Sequence, residues 1–232
     1  GRMYEEPELL AQAQRLREVI RQQSFDGEFF VDNAVRKEGR LEVTDNHSEV
    51  CQYFAFFFDV ANPNTHKGLW DMLRKEFGPK RAETKVYPKV HPANSFVGNY
   101  LRLELLSRFG YCRQLKDELA DFFLYMAERT GTLWEHNRTS ASCNHGFASH
   151  VAHCLYRDVL GVHRLDTQNR IVELRFHDVG LEWCEGKIPT ADGMVSVRWW
   201  TDGDRILYQA DVPAGYVLKV DNQTGRPLLR KR

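Results

Sequence analysis

The apolar residues of this chain change their spacing near residue 166, and that change limits the possible folds more than any other feature. Before it, apolar side chains recur every three to four residues, which is the spacing of amphipathic helices. At residues 171–176 and 194–199 they alternate with polar side chains, which is typical of strands. We therefore predict a helical domain over residues 1–165 and an antiparallel β-domain over residues 166–232.

The first domain is predicted to contain about six helices, arranged as hairpins. The segment 49–58 is apolar nearly all round, so we expect a helix that is buried on most of its faces. Residues 25–44 are expected to form a loop with a short hairpin, and the proline-rich segment 78–92 a second loop. The other predicted helices span residues 7–24, 67–77, 94–109, 114–130 and 148–160.

Charge and cysteine content exclude several classes of function. The 32 Lys and Arg residues balance the 32 Asp and Glu residues, so we expect neither nucleic acid nor an anionic membrane as a partner. No apolar run approaches the roughly 20 residues that span a bilayer. The 5 cysteines are odd in number and contain no CxxC pair, which argues against a disulfide scaffold and a structural zinc.

The connection before the last predicted helix carries the densest group of chemically active side chains in the sequence. Trp134, Glu135 and His136 are followed closely by Asn144 and His145. So many hydrogen-bonding side chains in one connection need partners or solvent, which favours a polar ligand. We predict a binding or catalytic site here.

Each of these residues also has a structural interpretation. A carboxylate beside an indole, as in Trp134-Glu135, is a common way to bind a sugar, but Glu135 could equally be a capping or salt-bridge residue. Asn144 and His145, followed by a glycine, could approach a ligand or could cap the next helix. The residues alone leave both interpretations open.

A metal site is a weaker alternative for the same region. His145, His150, His153 and Cys154 all carry side chains that bind zinc. Their spacing matches no zinc motif, so we predict no metal. No motif indicates an organic cofactor.

A second polar cluster precedes the predicted helix at 49–58. Ser48 or Asp45 is expected to cap this helix. If the helix N-termini converge on one face, Asp45 or Glu49 would lie beside Glu135 and supply a second carboxylate.

The second domain contains three tryptophans that could form a sugar-binding platform. We expect Trp183, Trp199 and Trp200 to belong to the β core and to interdomain packing instead.

Four short motifs occur in order along nearly the whole chain. They are Thr-Gly-Thr-Leu-Trp-Glu at 130–135, Ser-Cys-Asn-His at 142–145, Leu-Tyr-Arg-Asp at 155–158 and Gly-Lys-Ile-Pro-Thr-Ala-Asp-Gly at 186–193. Together they resemble the C-terminal part of the bacterial α-L-rhamnosidases of glycoside hydrolase family 78. The resemblance implies a mainly α fold: the second half of an (α/α)6 barrel of six helical hairpins, followed by a small antiparallel β-sandwich.

The resemblance also implies an activity, the inverting hydrolysis of terminal α-L-rhamnosyl residues in an oligosaccharide or glycoside. Glu135 would be the general base that activates water. Trp134 would pack around the sugar and His145 would hydrogen-bond its hydroxyl groups, with Asn144 and His136 as further binding residues. A periplasmic or secreted location is implied as well.

The chain departs from that family in one respect. About six helices are predicted, half of what a closed barrel needs, and nothing resembles the upstream segment that carries the general acid. An inverting enzyme needs two carboxylates roughly 6.5–9.5 Å apart. We therefore expect the chain alone to be inactive and to need a missing N-terminal half of the barrel or a second copy.

Two other classes of function remain open. The first is another (α/α)-barrel glycosidase or a polysaccharide lyase, whose helical hairpins would look similar in sequence. The second is a non-catalytic carbohydrate-binding or assembly module, in which Trp134 and Glu135 hold a sugar without cleaving it.

Overall fold

The computed structural model describes residues 6–93 and 95–231, which form both helices and strands. Helices account for 38% and strands for 28%, and the strands form several small sheets. The fold is therefore mixed α/β, and the prediction of a mainly α chain built as part of an (α/α)6 barrel is wrong. One cause is that short strands also occur before residue 92, where exposed side chains give no alternating apolar signal.

The longer helices lie where the apolar spacing predicts them. Asn94, the predicted start of the helix at 94–109, lies outside the described residues. The predicted helix at 148–160 is divided into a 3-10 turn at Gly146–Ser149, an α-helix and a π-helical turn at Leu155–Val159. Over the described residues, no helix combines the length and apolarity that a membrane span requires. The helices are α1 Pro7–Ser24, α2 Glu49–Phe57, α3 Lys67–Glu76, α4 Arg81–Thr84, α5 Phe96–Arg108, α6 Cys112–Thr130 and α7 His150–Cys154.

The strands of the described chain form four sheets. A hairpin joins β1 and β2, β3 pairs with β4, and the remaining strands form sheets in the orders β10-β6-β5 and β11-β9-β8-β7. The strands are β1 Ala34–Lys37, β2 Arg40–Val43, β3 His47–Ser48, β4 Val90–His91, β5 Val162–Asp166, β6 Ile171–His177, β7 Trp183–Thr190, β8 Gly193–Asp202, β9 Arg205–Asp211, β10 Val217–Gln223 and β11 Leu228–Arg230.

The chain divides into two compact units. Unit 1 comprises the residues up to Leu105 together with His136–Ala141, and unit 2 comprises Leu106–Glu135 and Ser142–Arg232. The predicted boundary between residues 165 and 166 falls inside β5, within unit 2. The separation into a helical domain and a β-domain stays a prediction.

Helix α2 begins at a polar cap and carries the centre of unit 1. The Ser48 hydroxyl accepts a hydrogen bond from the backbone N–H of Cys51 at 3.2 Å, as expected of a capping serine. One face of the helix is buried, including Tyr53 and Phe56, whereas Phe54 is exposed. The structure therefore confirms that one face of α2 is buried, but not that most of its faces are.

The carboxylate of Glu49, in the first turn of α2, is buried and fully bonded. It accepts hydrogen bonds from the backbone N–H groups of Gly78 and Ala93, both at 3.0 Å, and from the Tyr53 hydroxyl. The guanidinium of Arg81 lies 2.9 Å from its second oxygen, and both side chains are almost completely excluded from solvent. A buried charge requires this number of partners because it has lost its hydration.

The core of unit 2 lies between its two larger sheets. Phe176 of β6 and Tyr208 of β9 meet with their ring centroids 5.2 Å apart. Trp199 of β8 is buried in the same cluster, and its Nε1–H donates to the backbone carbonyl of Val159 at 3.1 Å. Trp199 is thus a core residue, as predicted, whereas Trp183 is 58% exposed and the same prediction is wrong for it.

These two sheets are not purely antiparallel. Strands β5 and β6 pair antiparallel, and so do β7, β8 and β9 in sequence. However, β10 pairs parallel with β6, and β11 pairs parallel with β9. The predicted small antiparallel sandwich is corrected accordingly, because alternation of apolar residues reports a strand but not the direction of its neighbour.

We expect the substitution Glu49→Gln to lower the free energy of unfolding of unit 1 by about 3–5 kcal/mol, because it leaves the Arg81 guanidinium buried without a counter-charge. Urea unfolding of the variant measures the change. Glu42→Gln is the matched control, since Glu42 forms an exposed ion pair with Lys37 at 2.9 Å and should change stability by about 1 kcal/mol or less. Equal effects of the two substitutions would contradict the prediction.

We expect unit 2 to lose stability as the pH falls below about 6.5, the ordinary pKa of histidine. Burial lowers the pKa of His177, and this outweighs the nearby Asp158 carboxylate, which raises it. Between the lowered pKa and 6.5, the unfolded chain binds more protons than the folded chain, so acidification favours unfolding.

Thermal unfolding followed from neutral to mildly acidic pH measures this dependence. His177→Gln should flatten it, whereas His91→Gln, at an exposed position, should leave it unchanged. An unaltered slope in His177→Gln would show that this histidine does not cause the loss.

Candidate functional site

The connection predicted to carry the site begins where α6 ends. Gly131 adopts a left-handed conformation with φ of 72°, and its N–H donates to the carbonyl of Ala127 at 2.8 Å. Glycine is favoured at this position because other residues are strained there. The helix therefore stops at Thr130 and the chain turns into the connection.

Hydrogen bonds close this connection in the manner of a small hairpin. The N–H of Glu135 donates to the carbonyl of Ser142 at 2.9 Å, and the N–H of His145 donates to the carbonyl of Leu133 at 2.8 Å. The hydroxyl of Thr132 donates to the carbonyl of Cys143 at 2.5 Å. The backbone on both sides of Glu135 is thereby fixed, and residues 142–145 are brought beside 132–135.

Trp134 anchors the connection to α6. Its side chain is 1% exposed and its Nε1–H donates to the Thr130 hydroxyl at 2.8 Å. The ring of Tyr125 meets it edge-on at 5.4 Å, and the guanidinium of Arg129 lies 6.0 Å from its centroid. An indole this buried has no face left on which a sugar could stack, so the sugar contact expected for Trp134 is not supported by its burial.

Glu135 points the other way from Trp134, toward His145. Its carboxylate is 36% exposed, and its Oε2 lies 4.0 Å from Nδ1 of His145, which is 25% exposed. Both groups therefore remain accessible to water and to a polar ligand. A partly exposed carboxylate beside an imidazole can accept a proton, bind a hydroxyl group or orient a water molecule.

Two exposed side chains flank His145. Asn144 is exposed, so its amide is accessible from solvent. The ring of Phe147 is 76% exposed and meets His145 edge-on at a centroid distance of 5.6 Å. The sequence analysis did not single out Phe147. The signal that could have identified it is an aromatic residue directly after Asn-His-Gly, before any apolar periodicity resumes.

The remaining predicted site residues are assigned to a different compact unit from Glu135. His136 and Asp45 belong to unit 1, where His136 forms an isolated bridge with Ser95 and Asp45 is exposed. Glu49 also belongs to unit 1, and its carboxylate is enclosed by the bonds described above. A carboxylate held in this way has no position for substrate or water. We therefore assign Glu49 a structural role.

Two of the residues considered for a metal contact side chains one helical turn further along the chain. The Nε2 of His150 lies 3.4 Å from Sγ of Cys154, one turn further on. His153 is 3.0 Å from a guanidinium nitrogen of Arg157. Within unit 2, His145 instead faces Glu135 and Phe147.

Comparison with known proteins yields a structural similarity. No protein-family model matches the sequence, and no curated protein matches it. The fold is similar to part of a crystal structure of a GH78 family rhamnosidase from Bacillus sp. GL1, with a TM-score of 0.76 and 19% sequence identity. The similarity covers 95% of this chain and 23% of that chain. At this identity it shows the fold alone, and the chain spans less than a quarter of its structural neighbour.

We expect Thr130→Val to lower the free energy of unfolding of unit 2 by about 1–3 kcal/mol, because the buried Trp134 N–H loses its acceptor while the side-chain shape is kept. Urea unfolding monitored by tryptophan fluorescence measures the effect. Thr167→Val, in the exposed turn between β5 and β6, is the control and should change stability by about 0.5 kcal/mol or less. A Thr130→Val protein as stable as that control would show that the Trp134 anchor needs no acceptor at Thr130.

Proposed function

We propose that this chain carries part of the site of a glycoside hydrolase acting on terminal α-L-rhamnosyl residues, with Glu135 as its general base. The observation that carries the proposal is the pairing of a partly exposed Glu135 carboxylate with His145 at 4.0 Å on a connection held rigid by backbone hydrogen bonds. The structural similarity to a GH78 family rhamnosidase supports the choice of reaction class.

A general base must hold its carboxylate close to the attacking water without losing access to solvent. The hydrogen bond from the Glu135 N–H to Ser142 fixes the backbone, and the 36% exposure of the side chain leaves room for water. In an inverting reaction this water attacks the anomeric carbon while a second carboxyl group protonates the leaving oxygen. The proton lost by the water passes to Glu135.

Sugar binding beside Glu135 is assigned to the groups on the other side of the hairpin. His145 and Asn144 would exchange hydrogen bonds with ring hydroxyl groups. The exposed ring of Phe147 offers the apolar face against which the C–H face of a pyranose packs. Trp134 then acts as a positioning residue. By filling the space between the connection and α6, it fixes the backbone position from which the Glu135 side chain extends.

Hydrolysis of p-nitrophenyl α-L-rhamnopyranoside, by the chain alone and by the chain supplemented with the N-terminal half of a GH78 family rhamnosidase barrel, tests the proposal. Glu135→Gln keeps the shape of the side chain but removes its basicity, so we expect kcat to fall about 10²- to 10⁴-fold. The matched control is Glu128→Gln, an exposed glutamate on α6 in the same unit, which should leave the rate unchanged. Turnover that survives in Glu135→Gln would contradict the assignment of the base.

The second candidate is a sugar-binding module that holds rhamnose without cleaving it. It is favoured by the groups beside Glu135, because His145, Asn144 and the exposed ring of Phe147 can hold a sugar whether or not the sugar is cleaved. Absence of turnover both in the chain alone and after addition of that N-terminal half, combined with rhamnose binding that Glu135→Gln weakens and Glu128→Gln does not, would support this candidate over hydrolysis.

A further inference from the structure

A second surface suited to a ligand lies on the outward face of the sheet β11-β9-β8-β7. We propose that this face binds a neutral oligosaccharide, at a site separate from the Glu135 connection. The proposal rests on two exposed or half-exposed indoles beside a polar groove, all carried by neighbouring strands of unit 2.

The alternation of β8 separates the two faces of the sheet. Val195, Val197 and Trp199 point inward and are buried in the core. The intervening residues, including Arg198 and Trp200, therefore point outward, because successive side chains of a strand project to opposite faces. Trp183, Glu185 and Lys187 of β7 are exposed on the same outward face, since their cross-strand partners are the outward residues of β8.

Cross-strand pairing places the two indoles side by side. Trp183 is the register partner of Trp200, so their Cβ atoms lie about 4.5–5.5 Å apart. The side chain of Trp183 is 58% exposed, so its ring is accessible to a ligand. Next to them, the guanidinium of Arg198 lies 5.7 Å from the Trp200 ring and 3.6 Å from the carboxylate of Glu185.

The groove beside the indoles is polar and has a volume of about 410 Å³. Two carboxylates and two cations line it, so their charges cancel. Among the residues that the structure describes, none bonds to the side chains of Lys187, Ser196 or Asp211, which leaves three polar groups available in one groove. The polar side chains that line it are Glu185, Lys187, Ser196, Arg198, Gln209 and Asp211.

This combination selects among ligand classes. An indole packs well against the C–H face of a pyranose ring, while carboxylate, amide and guanidinium groups form paired hydrogen bonds with neighbouring hydroxyl groups. Nucleic acid would require a net positive groove, and a charged glycan would gain no net attraction from a groove whose charges cancel. A neutral oligosaccharide satisfies the hydrogen bonds without adding a charge.

Titration of the whole chain with maltohexaose, cellohexaose, laminarihexaose and xylohexaose tests the proposal. The ¹⁵N–¹H spectrum resolves indole N–H and backbone signals, so binding can be assigned to β7 and β8. Weak binding is expected, and sugar concentrations up to about 10 mM would detect Kd values near 1 mM. We expect Trp183→Ala to raise the Kd about tenfold or more.

The controls separate this site from the Glu135 connection. Val217→Ala removes a similarly exposed side chain from the other sheet and should leave binding unchanged. Signals of the Glu135 connection should not shift during the titration, so binding at this sheet is distinguishable from binding at the proposed hydrolase site. The proposal is overturned if none of these sugars binds, if the shifted signals lie outside this sheet, or if Trp183→Ala binds as tightly as Val217→Ala.

Discussion

Unit 1 depends on the burial of one carboxylate. A glutamate that is withdrawn from water is tolerated only if donors surround it, and Glu49 meets this condition with two backbone N–H groups, a tyrosine hydroxyl and a guanidinium. Those donors come from α2, the turn at Gly78, α4 and the chain at Ala93. One side chain therefore joins four segments, and each segment must be in place before the charge is satisfied.

Gly78 illustrates how closely the neighbours of this network fit. Its φ is 106°, and a Cβ atom added there would lie 2.7 Å from Nε of Arg102. Arg102 in turn donates to the Tyr53 hydroxyl at 3.0 Å and to the carbonyl of Leu73 at 2.6 Å. A larger residue at position 78 would strain the backbone and displace this second guanidinium, so the turn is limited to glycine by both conformation and space.

Glu49 and Glu135 show how the surroundings of a side chain determine its role. Glu49 is saturated with donors and excluded from solvent, and this suits it to holding the fold. Glu135 has a fixed backbone, partial exposure and an imidazole at 4.0 Å, and this suits it to exchanging protons or hydrogen bonds with a ligand. The residue type is identical in both cases, although the sequence analysis predicted Glu135 as the general base and named Glu49 only as a candidate for a second carboxylate.

Sequence reasoning located the elements that are determined locally. The bounds of α1 and the capping serine of α2 agree with prediction, because helical spacing and caps involve residues only a few positions apart. The connection around Glu135 was singled out as a candidate site from its composition, and that remains a prediction. What could not be predicted depends on distant partners: Glu49 meets Arg81, 32 residues later, and β10 pairs in parallel with β6. The burial of Trp134 against α6 was missed for the same reason, since nothing in its local sequence reports which face is covered.

The parallel pairing of the last strands bears on the order in which unit 2 is completed. Val217 of β10 lies beside Ile171, and Leu228 of β11 lies beside Ile206. Each contact joins residues far apart in the chain, so the loop between them must close before the contact contributes stability. During synthesis from the N-terminus, β6 and β9 each lack one neighbouring strand until β10 and β11 have left the ribosome. Until then these strands present unpaired edges, and the time spent in that state exposes the nascent chain to association with other strands.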